Sequence, residues 1–256
     1  MRAFCALYLE GFRWLRRDKI FLPILFAGLG VAIFASTVSQ WSLEDMKKIL
    51  FDIGFAGFRL TGGMVSILWG SRMIHDAISE RSIDPRLAAP ISRSVWFLAR
   101  YSALATAILV MGVVFAIWWQ GILYSNGYGR ISQIQGWALG FLVLEWLVLG
   151  AIAMLTATFG GFGISIFASV SLWLVGLMAP LVSASKDPNF PATESAVVDW
   201  LADVWNFQRF NLIDQLAVSG QDVILTDVSM RALWAVALLC GVLTAGTWRF
   251  SERDLT

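Results

Sequence analysis

The chain has 256 residues, 58% of them hydrophobic, 14% charged, with a net charge of +1. Soluble domains carry about 25% charged residues, so this chain cannot clothe a globule of its size in a solvated surface. No basic tract supports nucleic-acid binding; Cys5 in the charged N-terminal segment and Cys240 inside an apolar block are ill placed for a structural disulfide, and with the single His75 they leave a metal centre short of ligands.

The apolar residues come in unalternating blocks of roughly twenty, the helix length that crosses about 30 Å of hydrocarbon. A backbone in lipid must satisfy its own hydrogen bonds, so such blocks specify helices. The expected fold is an all-α integral membrane protein with six transmembrane helices, forming one domain over 1–256. In residues 1–19, Phe4, Leu7, Tyr8, Phe12 and Leu15 fall at helical spacing beside Arg13, Arg16, Arg17 and Lys19. That pattern predicts an amphipathic interfacial helix; Glu10 and Arg13 break the apolar run that a cleavable signal needs. A frayed cytoplasmic tail is the plainer alternative.

Spans are expected near 20–38, 54–74, 95–119, 136–158, 163–182 and 229–248. With the first segment inside, 12 of the 19 lysines and arginines are cytoplasmic and seven are outside, which favours two cytoplasmic termini. On the outer side, Ser42 and Asp45 form a capping pattern before Leu43, Met46, Leu50 and Ile53, one apolar helical face. Residues 183–228 predict a helical cap resting on the membrane surface. Thr193 caps a helix with Val197, Trp200, Leu201 and Val204 on its apolar side. Leu212, Ile213, Leu216 and Ala217 suggest a second, stopped at Gly220. Trp41, Trp118, Trp119, Trp137 and Trp248 lie near span ends, where indole suits the interface.

Two sets of residues stand out. Glu145 lies mid-span in the fourth block, where a carboxylate costs on the order of 3 kcal/mol unless it faces protein or water. It either lines a substrate path or dimer seam, or is a structural group bonded to a neighbouring helix. Arg59 is close enough to its span end to snorkel outward. Gly57, Gly62, Gly63 and Gly70 read as close-packing positions, and Gly160, Gly161 and Gly163 as a tight inner turn. The second set is the loop at 77–95. Asp84 is a good N-cap, Pro85 suits a first helical position, and Pro90 ends the turn, leaving a helix of little more than one turn at 85–89. Leu87 forms its apolar tip between Arg81, Arg86 and Arg93, and Ser92 caps the next span. Such a knob fits a groove on a soluble partner; an ordinary turn rich in inner arginines is the alternative.

Several of these residues carry a resemblance. Glu80 and Arg81, the small helix with Leu87, Pro90 to Arg93 and the aromatic span start leading to Arg100 resemble the cytoplasmic loop of ABC-2 type transporter permeases. Phe12, Arg16 and Asp18 before the first span, and the close Arg249 to Leu255, are similar too. The likeness covers nearly the whole chain through degenerate motifs. It looks closest to the permeases of copper-enzyme maturation and gliding systems. Ile83, Asp84 and Pro85 depart from the Gly-containing turn of many relatives.

The resemblance implies a permease subunit of an ATP-binding cassette transporter, an exporter, in the bacterial inner membrane. A second permease chain, identical or related, would face it, and two cytosolic ABC ATPase subunits would grip the coupling loop: Glu80, Arg81, Asp84, Pro85, Arg86, Leu87, Pro90 and Arg93. Further expected partners are membrane lipid and an extracytoplasmic protein at the outer cap. The alternative is an ATP-driven mechanical or scaffold subunit that moves no substrate. The chain itself is expected to be no enzyme and to bind no cofactor. None of Lys19, Lys47, Lys48 and Lys186 stands in a phosphate-binding Gly-x-x-x-x-Gly-Lys-Ser/Thr loop, so ATP and Mg belong on the partner.

Overall fold

The computed structural model describes residues 2–19, 21–40, 46–79, 92–184, 200, 202–212 and 225–252. The elements are α1 (Arg2–Arg17), α2 (Phe21–Ser39), α3 (Met46–Ser79), α4 (Arg93–Ser125), α5 (Gln133–Ala157), α6 (Phe162–Ala184), a 3-10 turn (Phe207–Phe210) and α7 (Leu225–Glu252). No strand occurs among the described residues. Helices α3 to α7 are each long and apolar enough to cross a membrane, and α2 contributes a shorter apolar stretch, Phe26–Ser39.

Helix α5 is the centre. It is apolar on every side and 78% of its most apolar window is buried, against 17% for α7. It touches α3, α4, α6, α7 and the 3-10 turn, while α2 packs on α3 and α1 on α4. Close approach of α3 to α5 depends on glycine. A Cβ on Gly70 would stand 2.6 Å from the carbonyl oxygen of Gly150, and one on Gly62 2.1 Å from the Trp146 indole. Gly57 and Gly63 likewise face Val31 and Trp173, so the glycine set of the second span serves packing, as its spacing suggests.

The α4–α5 connection is fixed from both ends. Ser132 and Gln135 form a reciprocal capping box at the start of α5. Gln120 reaches from α4 to donate to the Gly129 carbonyl and accept from the Ile131 amide, each at 2.9 Å. Gly127 and Gly129 take φ values of 77° and 79°, the left-handed region that glycine enters without a steric penalty.

Three expectations change. Residues 46–53 do not form a separate outer helix: Met46, Leu50 and Ile53 belong to the first turns of α3, because helical hydrogen bonding continues through Lys47, Lys48 and Asp52 where hydropathy falls. Ser42, Leu43 and Asp45 lie outside the described residues. Trp119 is no interfacial anchor. It is fully buried and meets Phe51, Phe55 and Phe58 edge-on at 5.1–5.7 Å, whereas Trp118, Trp137 and Trp248 remain exposed and Trp41 is not described.

The outer cap differs most. Rather than lying across the helix ends, residues 202–212 seat against the middle of α6. The Trp205 indole donates to the Leu172 carbonyl at 2.8 Å, Gln208 donates to the Leu177 carbonyl at 3.2 Å, and Phe207 fills the space left by Gly176. Leu212 follows in non-helical backbone. The helix expected after Thr193 and the one through Ala217 fall mainly outside the described residues.

Candidate functional site

The ion pair with the most deeply buried carboxylate among the described residues joins α3 to α5. Arg59, on α3, points Nε at Glu145 on α5, donating to Oε2 at 2.8 Å and to Oε1 at 3.0 Å. Trp173 of α6 donates its indole N–H to Oε1 at 2.8 Å. Arg59 Nη2 donates to the Phe207 carbonyl at 2.8 Å. Glu145 is fully buried and the Arg59 side chain is 11% exposed. The snorkelling reading of Arg59 is thereby corrected: a buried carboxylate one helix away offers the guanidinium a closer partner than the interface. Glu145 is fully buried within its own chain.

The local sequence explains the approach. Gly62 and Gly63 follow Arg59 by about one turn, and their missing side chains admit Trp146 and Trp173. The node therefore joins α3, α5, α6 and the inserted 3-10 turn through one carboxylate and one guanidinium. A single partner for a buried charge leaves a net cost, whereas several hydrogen bonds to both ions offset desolvation. Such a node works as a latch, since the Arg59 guanidinium and the Trp173 indole both bind Glu145 and so hold α3, α5 and α6 together.

A second polar cluster lies nearer the α5–α6 turn. The hydroxyls of Ser71 and Ser165 are 2.8 Å apart, and the Thr156 hydroxyl is 2.9 Å from those of both Ser165 and Ser169. Ser71, Ser165 and Ser169 are fully buried. The sequence pattern hid this group, because serine and threonine are common in apolar helices and bond to their own backbone.

The opposite ends of α3 and α4 flank residues 80–91. Glu80, Arg81, Asp84, Pro85, Arg86, Leu87 and Pro90 fall outside the described residues; Arg93 is described. Its Nη1 donates to the Ser251 carbonyl at 3.2 Å, tying the start of α4 to the end of α7. Phe250 stacks on Trp96 at 5.2 Å. Ser92 is the N-cap of α4, accepting from the Val95 amide. Helix α1 completes the frame. Leu7 and Leu15 are buried against the bundle, the Glu10 carboxylate meets Arg100 at 2.7 Å, and Tyr8 donates to Thr106 at 3.1 Å. Asp18 pairs with Arg72 at 3.2 Å. The apolar face of α1 is thus spent largely on α4.

Among the described residues no group of His, Cys, Asp and Glu is placed to hold a metal ion. No family model matches the chain, and no curated protein matches it. By the length and composition of its helices the chain is an all-α, multi-pass membrane protein.

Proposed function

We propose that the chain is the permease subunit of an ABC-2 type transporter, with α2 as the sixth span and both termini cytoplasmic in a bacterial inner membrane. In this reading it pairs with a second permease chain and two cytosolic ATPase subunits.

The observation that carries the proposal is the excess length of α3 and α4. With 34 and 33 residues they extend about 50 Å at 1.5 Å per residue, well beyond a hydrocarbon core of about 30 Å. Arg72 and Asp76 near the end of α3, and Arg93 and Arg100 near the start of α4, give part of that excess a charged end. Residues 80–91, which include Pro85 and Pro90, join these two charged ends, and in this reading a soluble motor grips them. Force applied there passes into α1 through Arg100 and Glu10, and into α7 through Arg93 and Ser251.

One observation favours the alternative of a mechanical subunit that moves no substrate. Arg59 links α3 directly to the inserted 202–212 segment through Phe207, so motion of α3 would reach the far side without a path opening. Co-purification with a cytosolic ATPase tests the common element. Leu87→Asp is expected to abolish it with expression unchanged. An ATPase that still binds, and is still stimulated, after deletion of residues 83–89 would overturn the coupling role. Flux of a labelled cargo separates the two variants of the reading.

A further inference from the structure

Helix α7 is the least enclosed of the long helices, and a cleft in two neighbouring parts runs along it. At its N-terminal end a cavity of about 650 Å³ is lined by Asn206, Gln208, Arg209, Asp227, Arg231 and Trp234. A groove of about 520 Å³ shares Trp234 and Ala237 with it and is walled further by Leu155, Leu172, Trp205, Leu238, Val242 and Ala245. The inserted segment builds both parts, since Trp205 walls the groove and Arg209 the mouth.

The two parts differ in chemistry. Arg231 pairs with Asp227 at 3.0 Å, and Arg209 pairs with Asp203. Arg209 also lies over the Trp234 ring at 5.3 Å, and Arg231 donates to the Arg209 carbonyl at 3.3 Å. The two carboxylates are 65% and 47% exposed. Pairs this exposed hold each other weakly, so both guanidiniums are available to a phosphate, which arginine grips bidentately. Asp227, which lines the same cavity, then suits an ammonium.

The groove has the dimensions of one acyl chain. From Trp234 to Ala245 α7 rises roughly 16 Å, about half of a hydrocarbon core of ~30 Å. Thr156 is the one hydroxyl side chain in the groove's lining, which is otherwise aliphatic and aromatic, the chemistry a hydrocarbon chain needs.

We infer that this cleft binds one zwitterionic phospholipid from the leaflet at the N-terminal end of α7, its phosphate between Arg209 and Arg231 and one acyl chain along α7 to Ala245. The inference does not depend on the ATP-driven reading and stands or falls without it.

Native mass spectrometry of the full chain, titrated with phosphatidylethanolamine or phosphatidylglycerol, tests it. The wild type is expected to retain one phosphatidylethanolamine in preference to phosphatidylglycerol. Arg209→Gln with Arg231→Gln is expected to weaken retention at least about tenfold, the effect of losing charge-assisted hydrogen bonds. Gly241→Phe fills the groove and should do the same; a Cβ there meets nothing within 4 Å, so the bundle need not move. An unchanged melting temperature shows that both variants fold. Equal retention by wild type and both variants would overturn the site. Equal or stronger binding of phosphatidylglycerol would overturn the zwitterionic head assignment. Competition by glycerophosphoethanolamine alone would overturn the acyl groove, as would crosslinking of Gly241→Cys, with Cys5 and Cys240 replaced by serine, to another protein segment.

Discussion

The guanidinium of Arg59 and the carboxylate of Glu145 form a two-point contact, 2.8 and 3.0 Å, although 86 residues separate them in the chain. Removing one partner leaves a buried charge alone, which costs about 3–5 kcal/mol. Glu145→Leu and Arg59→Met are each expected to lower stability by that order in detergent unfolding. The double variant should recover most of the loss, because no unpaired charge remains. Additive losses across the cycle would show that the two residues are not coupled.

Gly62 tests the packing of α3 on α5. Its Cβ position lies 2.1 Å from the Trp146 ring, so Gly62→Ala forces the indole aside at about 1–3 kcal/mol. Gly140→Ala is the control. Nothing lies within 4 Å of that Cβ, and alanine in an open helical site is expected to be neutral or to stabilise by about 0.5–1 kcal/mol. Comparing the two unfolding midpoints decides between crowding and a general intolerance of substitution.

Adjacent tryptophans should behave oppositely. Trp119 is fully buried and Trp118 is 37% exposed. Trp119→Ala is expected to cost about 3–5 kcal/mol as a core cavity, while Trp118→Ala falls within roughly 0.5 kcal/mol of the wild type. Brominated lipid should quench a single-tryptophan variant retaining Trp118 far more than one retaining Trp119. Equal quenching would contradict the placement of the Trp119 ring.

Docking of α1 rests on a charge pair at its middle. Arg100 is buried and its carboxylate partner Glu10 sits at 2.7 Å. Glu10→Lys places like charges together and should release α1, speeding tryptic cleavage at the exposed Arg13, Arg16 and Arg17. Cleavage rates unchanged from the wild type would mean that Leu7 and Leu15 hold the helix without the ion pair.

The coarse fold was legible because hydrophobic length is a local property. Blocks of apolar residues announced the long helices, Ser92 announced the start of α4, and α1 showed its amphipathic spacing within a few turns. Glu145 was conspicuous for the same local reason, an acid among apolar neighbours. Its partner was not, because Arg59 had a plausible solution within its own helix, an outward reach to the interface. Ser132 with Gln135 is likewise a local capping pattern, set three residues apart.

What the sequence alone determined is which segments leave water, since transfer of apolar side chains depends on composition over about twenty residues. What the tertiary structure decided is how the polar residues inside are answered. Arg59 meets Glu145, Trp119 turns inward to Phe51 and Phe55, and residues 202–212 enter the bundle beside α6. In each case the competing local solution was displaced by a partner far along the chain. Desolvated charge and hydrogen-bonding groups take whichever partner the packed helices bring within reach, and that depends on helix neighbours rather than on spacing.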